Sequence, residues 1–194
     1  MLPPDGLEIA AARGPFAGQE GHLDAPFATT PPEVVDAMLD LAGVGPGMRL
    51  IDLGCGDGRI AIAAARRGAL ALGVDIDRAR IDESEAAARQ SGVGGRTAFR
   101  REDMFATQLD EADIVTLYLL AYANRLLWPR LLTARAGTRI VSHAFPIGDW
   151  QPDATREIGR IRLYLWTVPQ GAGARIRPPV AGAGQSPNAR RTPA

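Results

Sequence analysis

The sequence contains no lysine, one cysteine and two histidines among its 194 residues. Cys55 has no second cysteine with which to form a disulfide, and clusters of Cys and His at the spacing of a structural zinc site are missing. We therefore expect no bound metal and a reducing, cytoplasmic location. Because lysine is missing while alanine and glycine are abundant, the arginine bias is typical of high-GC coding rather than of a particular function.

Net charge and long apolar runs are also lacking. The 22 basic and 22 acidic residues cancel, so no overall field attracts nucleic acid or an anionic membrane. No apolar run approaches the roughly 18 residues of a membrane span, and the N-terminus lacks the basic and apolar regions of a signal peptide. The sequence predicts no membrane insertion and no nucleic-acid partner.

Glycine, proline and alanine dominate both ends of the chain, where hydrophobic periodicity is weak. Residues 1–24 are predicted to form an irregular arm. Residues 170–194, with four arginines and no acid, predict a disordered tail that is either a plain linker or a basic RNA-binding extension. Residues 25–169 are then predicted to form one folded domain, in agreement with the ordinary 46% hydrophobic content of the chain.

Short β-type runs alternate with longer helical patterns in the middle of the chain. Thr30 is predicted to cap a helix with Pro32 in its first turn. Strands are predicted at 48–53, 70–75, 97–101, 113–120 and 138–145, and further helices at 59–67, 78–90 and 122–132. This order predicts an α/β, doubly wound, Rossmann-like fold with a parallel sheet. Runs 154–158 and 161–168 predict a C-terminal antiparallel hairpin.

A glycine-rich turn follows the first predicted strand, in the segment Asp52-Leu53-Gly54-Cys55-Gly56-Asp57-Gly58. Glycines let the backbone turn tightly and approach a ligand, and the first amides of the next helix point toward it. Asp75 ends the next predicted strand, where a carboxylate can accept from both hydroxyls of a ribose. The two acids and the turn together predict a site for a nucleoside cofactor.

The spacing of the glycines in the turn indicates which nucleoside cofactor the site would bind. A dinucleotide site has the pattern G-x-G-x-x-G/A, whereas this turn reads Asp-x-Gly-x-Gly-x-Gly. Asp52 would repel a pyrophosphate but suits the ammonium of a methionyl group, which favours S-adenosylmethionine over NAD. After the third strand, Asp103 could accept from the adenine amine or cap its own loop, and Met104 could pack on the adenine ring. The predicted cofactor-binding residues are Thr30, Asp52, Gly54, Cys55, Gly56, Asp75, Ile76, Asp103 and Met104.

Several segments resemble class I S-adenosylmethionine-dependent methyltransferases. More narrowly, the chain is similar to the small protein-lysine methyltransferases, which include archaeal broad-specificity enzymes and mitochondrial enzymes acting on the ATP synthase c subunit. The matching segments are 25–31, 52–59, 115–120, 129–132, 137–143 and 148–150. The resemblance implies a seven-stranded sheet, mostly parallel with a C-terminal antiparallel hairpin, and methyl transfer from S-adenosylmethionine to a lysine side chain of a protein.

The methyl acceptor is expected where the fourth and fifth strands end. Tyr118 and His143 are predicted as catalytic residues, and Phe27, Tyr118 and Trp150 as substrate-binding residues. A lysine amine, with a pKa of about 10.4, must lose a proton before it attacks a methyl group, and burial among aromatic side chains lowers that pKa.

Alternatives remain for these residues and for the substrate. Tyr118 and Trp150 could be ordinary core residues, and His143 a hydrogen-bonded structural histidine. The acceptor could be a small molecule, or the protein could bind S-adenosylmethionine without transferring its methyl group. DNA adenine methylation is not expected because an Asn/Asp-Pro-Pro-Tyr/Phe segment is missing. Covalent cytosine chemistry is excluded because Cys55 lies in the cofactor turn.

Overall fold

Seven strands form one sheet in the order β3-β2-β1-β4-β5-β7-β6 within residues 29–172, which the computed structural model describes. The predicted arm (1–24), Phe27 and residues 173–194 of the predicted tail lie outside the described residues. The strands are β1 (Arg49–Leu53), β2 (Leu70–Asp75), β3 (Thr97–Arg101), β4 (Ile114–Leu117), β5 (Arg139–His143), β6 (Ala154–Ile158) and β7 (Ile161–Thr167). The helices are α1 (Pro32–Leu41), α2 (Arg59–Arg66), α3 (Arg78–Gln90) and α4 (Ala121–Leu131).

The pairing of the strands confirms the predicted fold class. Strands β1 to β5 pair in parallel, and β7 runs antiparallel to both β5 and β6. Because parallel strands end at the same edge, the residues that follow β1, β2, β4 and β5 gather at one carboxyl edge of the sheet. The strand order reverses between β1 and β4, and ligands of open α/β sheets bind in the crevice at such a switch point.

Two hydrophobic clusters hold the sheet from its two faces. One contains Met38 of α1 and Leu50 of β1, and the other contains Leu117 of β4 and Leu127 of α4. These four side chains are at most 1% exposed, and burying such a side chain stabilises a protein by about 1.5–3 kcal/mol. Packing on both faces makes the sheet a rigid platform for the side chains at its carboxyl edge.

The strands that lead to the expected acceptor site are shorter than predicted. The predicted strand 113–120 is limited to β4, since the backbone after Leu117 leaves the sheet and enters α4. The predicted strand 138–145 ends at His143, because the Phe145 amide turns back to the His143 carbonyl at 2.8 Å. Both chain segments therefore leave the sheet at the edge where ligands bind.

Thr30 does not cap α1, which corrects the sequence prediction. Pro31 is the N-cap, and its carbonyl accepts from the amides of Val34 and Val35, both at 3.0 Å. The extended backbone of Pro31 places the helix start one residue later than predicted, so the Thr30 side chain lies outside the first turn. The Thr30 hydroxyl instead lies 3.2 Å from Nδ1 of His143.

Candidate active site

The glycine turn after β1 follows a backbone path that glycine accommodates. Gly56 and Gly58 have φ values of 54° and 77°, in the left-handed region where other residues are strained. At Gly58 a side chain would also collide with Phe99, whose ring atom would lie 2.8 Å from the added carbon. The turn is therefore compact and leaves the start of α2 facing the carboxyl edge.

Asp75 holds this turn in place from the end of β2. One carboxylate oxygen accepts from the Gly56 amide at 2.9 Å, and the other accepts from the Asp77 amide at 3.0 Å. A carboxylate offers about four acceptor positions, so about two remain for further donors. These positions leave room for two ribose hydroxyls, and the contact of Asp75 with a ribose stays a prediction.

Asp52 is a buried acid with one oxygen lacking a partner. Thr116 donates to Oδ1 at 2.7 Å, while Oδ2 has no hydrogen-bond partner among the described residues. Burial raises the pKa of Asp52 to about 7, and the nearby charges of Asp75 and Asp57 add to the effect. A cationic ligand group at Oδ2 would offset both the burial and the missing partner. The site therefore fits the methionyl ammonium of S-adenosylmethionine.

Thr116 is a site residue that sequence reasoning missed. It lies directly opposite Asp52 in the parallel pairing of β1 and β4, and it is fully buried. Only the register of the two strands brings the hydroxyl to the carboxylate. A buried threonine in an otherwise apolar strand was the available signal.

Cys55 lies inside the turn as a buried thiol. Its amide donates to the Val74 carbonyl at 2.9 Å, and burial raises the pKa of the thiol, which keeps it protonated. A protonated, buried thiol is a poor nucleophile. Within residues 29–172, no group of three or more His, Cys, Asp or Glu side chains is placed to hold a metal.

Three further residues predicted to bind the cofactor lie beyond the glycine turn. Ile76 follows Asp75 and is 46% exposed, which leaves an apolar surface free beside the acid. Met104 is buried in the core. Oδ1 of Asp103 accepts from the Phe105 amide at 2.9 Å, so this acid caps its own loop, as the alternative reading of the sequence has it. Its contact with the adenine amine stays a prediction.

Tyr118 and His143 are brought together at the carboxyl edge. Their rings stack with centroids 3.8 Å apart and planes inclined by 25°. His143 is 2% exposed, and burial lowers its pKa to about 4, so the imidazole is neutral at pH 7. The pair is an uncharged aromatic group at the edge where the acceptor was expected, with Tyr118 half-buried and His143 buried against it.

Thr30 connects this aromatic pair with the cofactor turn. Its carbonyl accepts from Arg59 at 2.8 Å, and its hydroxyl lies 3.2 Å from His143 Nδ1. Arg59 is itself bound to Asp57 of the turn, with Nε 2.9 Å from Oδ1. Thr30 thus lies between the two halves of the site, and its own contact with the cofactor stays a prediction.

Trp150 is packed into the core rather than standing free at the edge. Its ring lies between Trp128 and Trp166, with centroid separations of 6.2 and 6.0 Å, and it is 9% exposed. Its carbonyl also accepts from Trp166 Nε1 at 2.8 Å. These contacts correspond to the alternative role as a core residue, and a contact with substrate stays a prediction.

Comparison with known proteins extends the resemblance found in the sequence. Residues 52–154 match the model of a family described as the ANTKMT methyltransferase domain. A protein-lysine N-methyltransferase of Saccharolobus islandicus is 42% identical over 150 residues, covering 74% of this chain and 93% of that protein. The adenine nucleotide translocase lysine N-methyltransferase of Mus musculus is 29% identical over 157 residues, covering 80% of this chain and 68% of that protein.

A solved structure gives a matching fold. The RNA methyltransferase from Salinibacter ruber, in complex with S-adenosyl-L-homocysteine, is 43% identical and superimposes with a TM-score of 0.73. The match covers 74% of this chain and 95% of that one. The matched domain, the relatives and the acid-lined glycine turn agree, and the resemblance to protein-lysine methyltransferases is confirmed. The chain belongs to the ANTKMT methyltransferase domain family and is an S-adenosylmethionine-dependent methyltransferase.

Proposed function

We propose that the enzyme N-methylates a lysine side chain of a protein. The observation that carries this proposal is the stacked, uncharged pair of Tyr118 and His143 at the carboxyl ends of β4 and β5. An uncharged aromatic surface suits an amine that must be neutral to react and becomes cationic once methylated. The relative from Saccharolobus islandicus, named as a protein-lysine N-methyltransferase, supports the same acceptor.

The cofactor is held by the half of the site around β1 and β2. When bound, S-adenosylmethionine supplies a methyl group activated by a sulfonium charge. In the proposed assignment Asp52 accepts from the methionyl ammonium and Asp75 from the ribose hydroxyls. The remaining proposed contacts are the backbone at Gly54, Cys55 and Gly56, the side chains of Ile76 and Met104 around the adenine, and Thr30 and Asp103 as polar neighbours.

The acceptor side has to favour a neutral lysine amine. Lowering the amine pKa from about 10.4 to about 7.4 costs roughly 4 kcal/mol, at about 1.36 kcal/mol for each pKa unit. Exclusion of water by the aromatic pair supplies this shift by penalising the ammonium form. The remaining contribution is alignment of the amine with the methyl group and the sulfur. Phe27 and Trp150 are proposed as further substrate contacts on the acceptor side.

His143 is proposed to orient the amine rather than to store its proton. Burial lowers the pKa of His143 to about 4, so its protonated form is unfavourable at neutral pH. Its Nδ1 is engaged with the Thr30 hydroxyl at 3.2 Å, which fixes the ring. A fixed, neutral imidazole beside Tyr118 adds no positive charge that would repel the ammonium product. In this assignment the amine proton passes to water before the attack.

A second candidate acceptor is RNA. The 43% identical protein from Salinibacter ruber is named an RNA methyltransferase, which is the observation that favours it. We place RNA second, because the enzyme has zero net charge and stacking surfaces alone do not select nucleic acid.

The proposed partner is a protein of the cytoplasm, in keeping with the single cysteine of the chain. No helix in the described range is long and apolar enough to cross a membrane.

Labelled methyl transfer into a cell extract tests these proposals. Purified enzyme and tritiated S-adenosylmethionine are added to dialysed extract, and products are divided with protease, ribonuclease and gel filtration. The enzyme itself offers an unusual advantage, because a chain without lysine cannot methylate its own lysine side chains. Methyl-lysine found after hydrolysis must therefore come from another protein.

The proposal expects protease-sensitive label that is recovered as methyl-lysine. Ribonuclease-sensitive label would establish RNA as the acceptor instead, and label confined to the small-molecule fraction would establish a metabolite. Binding of S-adenosylmethionine in a calorimeter without any transfer would leave a non-catalytic binding protein. The Tyr118→Ala variant, assayed in parallel, is the control for label introduced by other enzymes of the extract.

A further inference from the structure

The backbone that follows β5 makes an unusual turn beside the aromatic pair. Ala144 is non-glycine yet has φ of 65°, and the Phe145 amide donates to the His143 carbonyl at 2.8 Å. A hydrogen bond across three residues with a positive φ at the centre defines the rarer form of γ-turn, which is strained. His143 is the first residue of this turn, so the turn determines how its ring leaves the strand.

Two buried side chains fasten the far end of the turn. Asn124, in the first turn of α4, donates from Nδ2 to the Phe145 carbonyl and to Ser142 Oγ, both at 3.1 Å. Ser142 Oγ also donates to the Phe145 carbonyl at 2.6 Å. A carbonyl can only accept, so the NH₂ group of Asn124 must face it. Both lone pairs of the Phe145 carbonyl are thus occupied.

Burying Asn124 costs more folding free energy than burying an apolar side chain of similar size would. The residue is fully buried, and its Oδ1 has no hydrogen-bond partner among the described residues. A buried amide with an unpaired oxygen destabilises the fold relative to an apolar side chain of similar size. Such a group persists where the surrounding structure needs its donor, and here the donor reaches the strained turn.

We propose that Asn124 is a positioning residue for methyl transfer, which holds the turn at Ala144 and thereby keeps His143 stacked on Tyr118. Asn124 acts through the Phe145 carbonyl and does not contact the reacting atoms. Ser142 shares the same carbonyl and has a smaller part in the same role, because its hydroxyl is itself held by Asn124 Nδ2: removing Asn124 loosens both bonds to the carbonyl, whereas removing Ser142 leaves the Asn124 bond in place. The expected effect of Asn124 on methyl transfer rests on the proposed function. Its effect on the stacking of His143 against Tyr118 does not.

Proton NMR of the ligand-free enzyme tests the structural half without any methyl acceptor. The sequence has two histidines, His22 and His143, so the His22→Gln variant leaves a single imidazole signal. Stacking on Tyr118 shifts the ring protons of His143 to high field. Asn124→Ala is expected to move this signal toward the position of a free imidazole, and Ser142→Ala to move it less. Leu127→Val, a buried truncation in the same helix, is the matched control and leaves the signal in place.

Activity measurements on the same preparations test the catalytic half. With extract protein as acceptor, Asn124→Ala is expected to lower the rate of label transfer about tenfold, since misplacing the amine disrupts alignment. Affinity for S-adenosylmethionine stays within about twofold of the parent enzyme, because Asn124 does not touch the cofactor side. Leu127→Val lowers the melting temperature and leaves the rate near that of the parent.

The outcomes separate the possible failures. An unmoved histidine signal in Asn124→Ala overturns the proposal, whatever the melting temperature does. A moved signal with an unchanged rate also overturns it, since the turn would then be irrelevant to transfer. If Asn124→Ala does not fold, the smaller Ser142→Ala change decides by the same two measurements. If the parent enzyme labels RNA rather than protein, the acceptor assignment fails while the histidine signal still tests the turn.

Discussion

The two halves of the carboxyl edge are built by different means. On the cofactor side, polar groups from neighbouring segments bind one another, as where Asp75 accepts from the Gly56 amide at 2.9 Å. On the acceptor side, aromatic groups from distant segments pack together, and Thr30 meets His143 across 113 positions of sequence. One half is a set of hydrogen bonds directed by a local backbone path. The other half is a surface assembled by the fold.

Because the two halves are built differently, a different measurement reports on each of them. Removing a hydrogen-bonding group on the cofactor side should lower affinity, since the cofactor loses a partner it has in every bound state. Removing an aromatic group on the acceptor side should lower the rate, because alignment matters only in the transition state. Variants in the two halves should therefore fall into two separate groups.

The largest effect is expected for Tyr118→Ala. Transfer should fall by on the order of a hundredfold or more, since the amine loses the surface that aligns it. Affinity for S-adenosylmethionine should stay within a few fold, as measured by calorimetry on the same preparation. Tyr122→Ala, which truncates a tyrosine that is 62% exposed on α4, is the matched control for stability. Parallel losses of melting temperature, affinity and turnover would show that Tyr118 is a core residue. Rate effects on the acceptor side would then not be separable from affinity effects on the cofactor side.

Asp75→Ala, on the cofactor side, should give the next largest change, which is a loss of affinity for S-adenosylmethionine. Loss of charge-assisted bonds weakens cofactor affinity by roughly 1.5–3 kcal/mol, about a tenfold to 150-fold change. The matched control is Asp77→Ala, which removes the N-cap bond to the Ala79 amide at 2.8 Å. That variant should lose about 1 kcal/mol of stability with little change in affinity. Equal affinity in Asp75→Ala and the parent would show that the ribose is bound elsewhere.

Asp52→Asn should lower the affinity for S-adenosylmethionine and yet raise the stability of the ligand-free protein. Replacing the carboxylate with an amide removes the charge proposed to face the methionyl ammonium, so affinity should fall about tenfold. The ligand-free protein should nevertheless melt at a higher temperature at pH 8, where the parent holds an ionised, buried acid without a full set of partners. Scanning calorimetry with and without S-adenosylmethionine measures both effects. A lower melting temperature in the ligand-free variant would contradict this account of Asp52.

The two halves also respond to pH with opposite signs. The folded pKa of Asp52, raised to about 7, lies above its unfolded value of about 3.9, so its contribution to stability is lost as pH rises between these values. The folded pKa of His143, lowered to about 4, lies below its unfolded value of about 6.5, so its contribution is lost as pH falls through that interval. In Asp52→Asn, stability should therefore rise more steeply with pH between about 4 and 6.5 than in the parent. Equal slopes of stability against pH in the two proteins would show that Asp52 does not contribute to the pH dependence in this range.

The smallest change is expected for Ala144→Gly. Glycine adopts the positive φ of 65° without strain, and this should stabilise the protein by roughly 0.5–1 kcal/mol after the added freedom of the unfolded chain is counted. Ala123→Gly, a buried position within α4, should instead destabilise by about 1–2 kcal/mol, from lost helix propensity and the loss of a buried methyl group. Urea unfolding of the pair measures both. If both substitutions destabilise, the turn at Ala144 carries no strain.

The cofactor side could be predicted from the sequence because its signals are local. Asp52, the glycines and the end of β2 at Asp75 follow one another along a single βα unit, and the backbone rules for a tight turn apply to them directly. Strand β2 and helix α3 were predicted with the bounds that the structure has. The parallel pairing of β1 to β5 and the C-terminal hairpin also agree with the alternating pattern, whereas the order of the strands in the sheet was not predicted.

The acceptor side could be predicted only in part, because its contacts depend on tertiary packing. The carboxyl-end rule placed Tyr118 and His143 near each other, but their stacking and the partner role of Thr30 needed the relative positions of α1, β4 and β5. Thr30 was predicted as a helix cap, since its sequence context fits that role equally well. Thr116 and Asn124 were missed because a single polar residue in an apolar run does not reveal which neighbour it meets.

If the buried Asp52 near the end of β1 binds the methionyl ammonium as proposed, cofactor binding is a proton-coupled event. With the pKa of Asp52 raised to about 7, a fraction of the free enzyme carries a proton there at neutral pH, and an arriving ammonium favours the ionised form. Binding should then release that proton to the buffer. The heat of binding near pH 7 should differ between phosphate and Tris in proportion to their ionisation enthalpies. In the Asp52→Asn variant, which has no titrating group at this position, this buffer dependence should vanish.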